Sequence, residues 1–168
     1  MLGARSLRSE LTLGASIRIV PAMEARLGPN RLRFHSRGED NHGAYALVEW
    51  EMAPPPAPGP PPHRHLDADE GCYVLTGKLT LEIEGSPATE LRPGDFGLIP
   101  KGEWHTLSNP GPEPARFLVI LSPPGFEGYW AEQADRMARR GGALDPGEVA
   151  ELQTKYKMDA GGAVRRFE

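Results

Sequence analysis

The sequence places two histidines, His63 and His65, two residues apart and follows them with an acid at Glu70. In an extended strand residues i and i+2 point to the same face, so both imidazoles can reach one ion. The polar run Leu66–Asp69 predicts a turn, after which a strand that starts near Glu70 returns beside the first and presents its carboxylate to the same point. The spacing therefore predicts short β-strands built around a metal site.

A further candidate ligand, His105, lies in the later run GDFGLIPKGEWHTLSN. There an apolar stretch ends at Pro100, a glycine turn follows, and His105 opens the next predicted strand. Three neutral imidazoles and one carboxylate suit a first-row transition ion such as Fe, Ni, Mn, Co, Cu or Zn. We therefore predict one divalent transition metal per chain with four protein ligands: His63, His65, Glu70 and His105.

Short apolar runs broken by turns continue through most of the chain, which contains 20 glycines and 18 prolines. Alternating apolar and polar residues, as in Ala44–Met52, are typical of half-buried strands. Further strands are predicted at residues 16–20, 31–35, 71–76, 78–84, 89–92, 96–99, 104–108 and 115–121. The two that flank Gly77 are predicted to form a hairpin, and a short turn or helix is expected at Pro21–Asn30. Many short strands between Gly and Pro turns predict an all-β jelly-roll barrel.

The pattern changes after Pro124, where apolar residues recur at helical spacing up to the glycines at 141 and 142. A second helix is predicted to start at Asp145, which is followed by Pro146 and by Glu148, a pattern typical of a helix N-terminus. We expect both helices to pack their apolar faces on the barrel. The predicted segments are an N-terminal extension at 1–15, the barrel at 16–124, the helical segment at 125–158 and a flexible tail at 159–168.

Two stretches resemble the signature motifs of the cupin superfamily. The first motif is His-x-His, four residues, Glu, six residues and Gly, and its positions are filled here by His63, His65, Glu70 and Gly77. The second is Gly, five residues, Pro-x-Gly, two residues, His, three residues and Asn, filled by Gly94, Pro100, Gly102, His105 and Asn109. The glycine that usually opens the first motif is displaced, since Gly59 lies only four residues before His63.

This resemblance implies a double-stranded β-helix, with one barrel because the chain has no internal repeat. The proline-rich approach to the first motif and the Gly-Phe-Glu after the barrel make the chain most similar to the quercetin 2,3-dioxygenase-like group. That similarity implies a metal-dependent dioxygenase that opens an aromatic or polyphenolic, flavonol-like ring with O₂. No acid or base other than Glu70 has a predicted place in the site, and as a ligand Glu70 could also shuttle a proton. A non-catalytic metal or small-ligand binding cupin and a metal-dependent isomerase or lyase are the alternatives.

The walls of the predicted pocket follow from strand alternation. If Glu70 faces the metal, Cys72 and Val74 face inward with it, and Leu107 does so with His105. We also expect Phe96 and Leu98 to add an apolar lining.

Composition and charge restrict the partners. The net charge of −4 argues against a nucleic-acid binder, which usually carries a basic patch. No apolar run approaches the roughly 20 residues of a membrane span. The single cysteine excludes an intrachain disulfide, and with no apolar signal-peptide core at the start we expect a cytoplasmic protein. Together with the resemblance above, this leaves a small-molecule substrate and O₂ as the expected partners.

The chain is also predicted to form a homodimer. Open sheets have edge strands whose unpaired backbone groups need a cover, and two-fold association is the commonest closed assembly. The β-like run Ser16–Val20 could add to a neighbour's sheet as readily as to its own.

Overall fold

The structure, a computed structural model, describes residues 17, 19–57 and 59–161. Its strands are β1 (Met23–Leu27), β2 (Asn30–Ser36), β3 (Ala46–Met52), β4 (His63–His65), β5 (Asp69–Thr76), β6 (Leu79–Ile83), β7 (Thr89–Leu91), β8 (Phe96–Ile99), β9 (His105–Ser108), β10 (Ala115–Ser122) and β11 (Met158–Ala160). The helices are α1 (Glu127–Arg140) and α2 (Pro146–Lys155), and a 3₁₀ turn spans Gly38–Asp40. No helix in these described ranges is long and apolar enough to cross a membrane.

Two antiparallel sheets form the barrel. One has six strands in the order β1-β2-β3-β10-β5-β8, and the other has five in the order β11-β4-β9-β6-β7. Alternation along the central strands creates the core, since every second residue of β3, from Ala46 to Met52, is buried. Val48 and Trp50 on β3 lie opposite Val119 and Phe117 on β10. The predicted all-β jelly-roll barrel with C-terminal helices is confirmed.

The connection at Gly77 differs from the predicted hairpin, because β5 and β6 belong to different sheets. Gly77 has φ +76, and a Cβ there would lie 2.8 Å from the carbonyl oxygen of Pro114. The residue therefore lets the chain cross a tight corner from one sheet to the other, where a side chain would strain the backbone. Leu79 and Leu81 still face the core, as their alternation requires.

Both C-terminal helices pack on the barrel. Phe126, just before α1, is buried together with Tyr129, Trp130 and Ala134 on the helix, and α2 buries Leu152. Helix α1 ends with Gly141 in the left-handed conformation at φ +72. Helix α2 begins with the predicted capping box, in which the Asp145 side chain accepts a hydrogen bond from the Glu148 backbone N–H.

Two short strands occupy regions where the sequence predicted none. The chain forms β1 where Pro21–Asn30 was expected to hold a turn or helix, and β1 pairs with β2. Strand β11 includes the start of the predicted flexible tail at 159–168, because Met158 and Ala160 pair with His65 and His63 at the open edge of β4. Its three residues are too few to show a strand period. Residues 162–168 lie outside the described part of the chain.

The predicted N-terminal elements fall largely outside the described residues. The extension at 1–15 does so entirely, as do two positions of the predicted strand at 16–20. The other positions of that strand, Ile17, Ile19 and Val20, are not in a strand, and the two isoleucines are exposed.

Candidate metal centre

The four predicted ligands meet between the two sheets. Histidines His63 and His65 lie on β4, and His63 is paired with His105 on the neighbouring β9. Glu70 lies on β5 of the opposite sheet, so β5 does not return beside β4 as the sequence predicted but approaches it face to face. One ligand atom from each of the four side chains lies within 4.8 Å of the others, and all four residues are buried.

The loop before β4 holds His63 in place. The Thr106 hydroxyl donates a hydrogen bond to the carbonyl oxygen of Pro60 at 2.7 Å. Gly59 packs so tightly against β9 that a Cβ there would lie 1.9 Å from the Leu107 carbonyl oxygen. The proline-rich loop that leads to His63 is stiff because prolines fix φ. The contacts of Pro60 and Gly59 tie this loop to β9, the strand that carries His105.

Backbone carbonyl groups orient two of the three imidazoles. Nδ1 of His63 lies 2.9 Å from the Pro61 carbonyl oxygen, and Nδ1 of His105 lies 2.9 Å from that of Glu103. A carbonyl oxygen only accepts, so each Nδ1 carries the proton and each Nε2 keeps its lone pair in the neutral ring. Carbonyl groups bonded to the far ring nitrogen in this way are typical of metal-ligating histidines.

The Glu70 carboxylate interacts electrostatically with two of the three histidines. Its Oε2 lies 2.7 Å from His65 Nε2 and 3.5 Å from His105 Nε2, and its Oε1 accepts a hydrogen bond from the Cys72 thiol at 3.6 Å. Burial alone would raise the pKa of Glu70, but the two imidazoles outweigh it and hold that pKa well below its ordinary value. Glu70 is therefore ionised and available as a ligand at neutral pH.

The remaining pKa shifts follow from the same burial and charges. Burial, with a smaller contribution from His105, lowers the pKa of His63 to about 4, which leaves that imidazole neutral at pH 7. Burial would also lower the pKa of His105, but the neighbouring Glu70 outweighs it and raises that pKa. Burial and the Glu70 charge raise the pKa of Cys72 well above its ordinary value, so the residue stays a thiol.

The donor set fits a transition ion. The His105 Nε2 is buried without a hydrogen-bond partner among the described residues, although it faces the cluster. Such an orphaned lone pair costs free energy unless an ion or water satisfies it. Three imidazole nitrogens and one carboxylate oxygen suit a first-row transition metal, and an ion that prefers five or six ligands keeps positions open for a substrate.

Three cavities border the cluster, and one of them, of about 250 Å³, borders His65 and is lined by Asp67, Lys155 and Lys157 among others. The inner cavity of about 40 Å³ is bordered by His63, Glu70 and the predicted wall residue Leu107. The mouth cavity of about 270 Å³ also borders His63. Cys72 and Val74 face inward and are fully buried, as predicted, but neither borders these two cavities.

The predicted contribution of Phe96 and Leu98 to the pocket is wrong, because their side chains are 53% and 57% exposed. In β8 the residues opposite the inward-facing Glu70 and Cys72 are Ile99 and Gly97. Directly paired residues share a face of the sheet, so Phe96 and Leu98, which alternate with Gly97 and Ile99, must point outward.

Aromatic residues that the sequence assigned only to packing form the outer wall of the site. The Phe126 ring lies edge-on against His65, with ring centroids 4.0 Å apart. Trp130 on α1 contacts both Phe126 and Trp50, with ring centroids 5.2 Å apart in each pair. The helical spacing of Phe126 and Trp130 predicted a buried face, but it carried no signal that this face would lie against the metal ligands.

Comparisons with known proteins identify the barrel. A sequence model described as the cupin domain matches residues 50–121, whereas no curated protein sequence matches the chain. KdgF from Halomonas sp. is 20% identical with a TM-score of 0.54, over 63% of this chain and 92% of its own. The polyketide cyclase RemF from Streptomyces resistomycificus is 24% identical with a TM-score of 0.52, over 63% of this chain and 77% of its own.

A third structure has the same fold within a longer chain. Oxalate decarboxylase from Lactobacillus farciminis is 18% identical with a TM-score of 0.53, over 77% of this chain and 41% of its own. At these identities the likeness concerns the fold, and it does not extend to the quercetin 2,3-dioxygenase-like group. All four candidate ligands lie inside the matched segment. Residues 50–121 therefore match the cupin domain model, and the barrel has the fold of these solved structures.

Proposed function

We propose that this protein is a cytoplasmic, metal-dependent dioxygenase that acts on an aromatic or polyphenolic, flavonol-like molecule. The observation that carries the proposal is a buried cluster of three histidines and one glutamate that adjoins a cavity with aromatic walls. Trp50, Phe126, Tyr129 and Trp130 all border that cavity. Aromatic walls favour planar, apolar ligands through stacked and edge-to-face contacts.

His63, His65, Glu70 and His105 would hold the ion. When bound, a redox-active transition metal supplies Lewis acidity toward a substrate oxygen and the capacity to engage O₂. Glu70 is the acid that borders the inner cavity, so we assign to its carboxylate the acceptance of a substrate proton. The Phe126 ring lies edge-on against His65 and covers part of that side of the cluster.

Metal analysis combined with oxygen uptake tests the proposal. Protein loaded in turn with Fe, Ni, Mn, Co, Cu or Zn is mixed with a panel of flavonols, and we expect one metal per chain and flavonol-dependent O₂ consumption. Chelated protein is the control and should consume none. Turnover that continues without O₂ would support the isomerase or lyase alternative, and tight binding without turnover would support a binding protein.

We also propose a homodimer. Light scattering at micromolar concentration should give twice the chain mass of 18.3 kDa. Removal of residues 1–20 should weaken the dimer if Ile17 and Ile19, both exposed here, lie in the interface. A monomer mass would contradict the proposal, and an unchanged dimer after the truncation would place the interface elsewhere.

A further inference from the structure

We propose that the mouth cavity beside His63 selects a ligand that is uncharged outside the oxygen that meets the metal. Uncharged donors would recognise it, among them the indole N–H of Trp50 and the side-chain amides of Gln133 and Gln153. The inference rests on the proposed function in that it concerns the same pocket, and it specifies which chemistry the walls accept.

Trp50 is a buried residue beside the metal site. The residue is 8% exposed, and it borders both the inner and the mouth cavity. Its Nε1 is buried and has no hydrogen-bond partner among the described residues. The ring is held by Trp130, edge-on, and by Phe117, stacked at 6.4 Å between ring centroids. Most buried donors in native proteins are satisfied, so a water or ligand oxygen that reached this N–H from the cavities would be stabilised by it.

The mouth cavity is lined by uncharged side chains. Its lining includes the amides of Gln133 on α1 and Gln153 on α2, for which the described structure shows no hydrogen-bond partner. Among the described residues, no Asp, Glu, Lys or Arg side chain lines this cavity. A charged ligand group that entered it would lose water without gaining an ionic partner, which is strongly unfavourable. An uncharged hydroxyl or carbonyl group can instead bond to the amides.

The charged side chains of the two helices lie outside the mouth cavity, although Lys155 borders the cavity at His65. Glu132 on α1 accepts from Lys155 on α2 at 2.6 Å, and Arg136 pairs with Glu151 at 3.0 Å. These pairs bridge the helices beside the cavity and leave the glutamines to face it. The segment outside the cupin domain therefore adds uncharged, hydrogen-bonding groups to a pocket whose metal ligands come from the barrel.

A matched set of ligands tests the charge selection. Binding of quercetin, its ring sulfonate and the corresponding sulfonamide is measured by calorimetry under nitrogen with the metal-loaded protein. The sulfonate and sulfonamide are alike in shape but differ in charge. We expect the sulfonate to bind at least about tenfold more weakly than the sulfonamide, because its charge is desolvated without a partner. Equal affinities for these two ligands would overturn the inference.

Charge placed in the cavity should weaken the preference for the uncharged ligand. Gln133→Lys adds a cation to the lining and should narrow the gap between sulfonate and sulfonamide at least about threefold. Thr154→Lys adds the same charge beside Gln153 at an exposed position outside the cavity lining, and should leave the gap unchanged. The inference fails if both variants act alike.

Trp50→Phe removes the indole N–H but keeps an aromatic ring. We expect roughly three- to tenfold weaker quercetin binding, because the ligand oxygen loses a donor in a buried site. Metal content and thermal unfolding report whether the variant folds, and if it does not, the lysine variants still decide the inference. Unchanged quercetin binding by a folded variant would remove Trp50 from the proposal. Since all these measurements are of binding, they can succeed even if flavonol-dependent O₂ uptake fails.

Discussion

The domain that matches the cupin model, residues 50–121, and the segment at 125–161 contribute to the same site in different ways. The domain supplies four ligands whose spacing along the chain is fixed by strand geometry and tight turns. The C-terminal segment supplies aromatic and amide side chains that reach the site only because α1 and α2 pack across the mouth of the barrel. The metal ligands therefore come from a short sequence motif, whereas the residues that border the mouth cavity from α1 and α2 are brought there by tertiary packing.

The largest expected effect comes from removing the C-terminal segment. Deletion from Gly125 onward exposes the core that Phe126, Tyr129 and Trp130 cover and leaves β4 without β11. Truncating one buried aromatic side chain costs about 3–5 kcal/mol, so losing three approaches or exceeds the stability of a typical domain. We expect aggregated protein or a collapsed thermal transition, measured by soluble yield and calorimetry.

Deletion of residues 162–168 is the control, since it leaves α1, α2 and β11 intact. A soluble barrel of undiminished stability after the longer deletion would contradict this prediction. It would show that the barrel folds independently of the C-terminal segment.

The second largest effect is expected from the loss of a metal ligand on the barrel. His65→Ala removes one of the four candidate ligands, and we expect metal affinity to fall by at least about a hundredfold, beyond the range for losing an outer hydrogen bond. Elemental analysis after gel filtration measures it. His42→Ala is the matched control, because His42 lies exposed in a loop outside the cluster. Full metal occupancy in the His65 variant would contradict the ligand assignment.

The sequence predicted the ligands better than the walls. Two local rules place His63, His65, Glu70 and His105 inside the barrel: strand alternation and the motif spacing. The sequence does not show which strands pair, so Glu70 was expected on a neighbouring strand of the same sheet, whereas it lies on the opposite one. Pairing depends on contacts between residues far apart in the chain, which local patterns do not record.

Phe96 and Leu98 show the same limit within one strand. Period 2 fixes that the two residues share a face, but it leaves open which face, because the run Phe96–Ile99 has apolar residues on both. Pairing with β5 decides the matter by aligning Ile99 with Glu70. The tertiary register therefore carried the information that the apolar pattern lacked.

Two phenylalanine-to-alanine variants test these face assignments. Phe126 is 6% exposed against the His65 ring, whereas Phe96 is 53% exposed on the outer face. Phe126→Ala should cost about 3–5 kcal/mol of unfolding free energy, as expected for a large buried side chain. Phe96→Ala should cost about 1 kcal/mol or less, since little of its surface leaves water. Urea unfolding of both variants compares them, and equal costs would contradict the assigned faces.

The smallest predicted effect concerns the link between α1 and α2. Lys155, with Tyr156 and Arg136, lowers the pKa of Glu132 from its ordinary 4.5 to about 2. A carboxyl group whose pKa is depressed by folding stabilises the folded state above the unfolded value, and the contribution is lost as the pH falls from about 4.5 toward 2. Because these groups lie near the surface, we expect about 1 kcal/mol or less.

Glu132→Gln isolates this contribution. The difference in unfolding free energy between the wild type and the variant should be present at neutral pH, shrink below about pH 4.5 and vanish near the folded pKa. High salt should reduce it at neutral pH, because exposed charges are screened. Glu24→Gln, which alters an exposed acid that pairs with Arg33 on the barrel, away from the helix pair, controls for the loss of one surface charge. A pH-independent difference for Glu132→Gln would mean that α1 and α2 are joined by packing alone, and the cover of the site would then owe its stability entirely to its aromatic face.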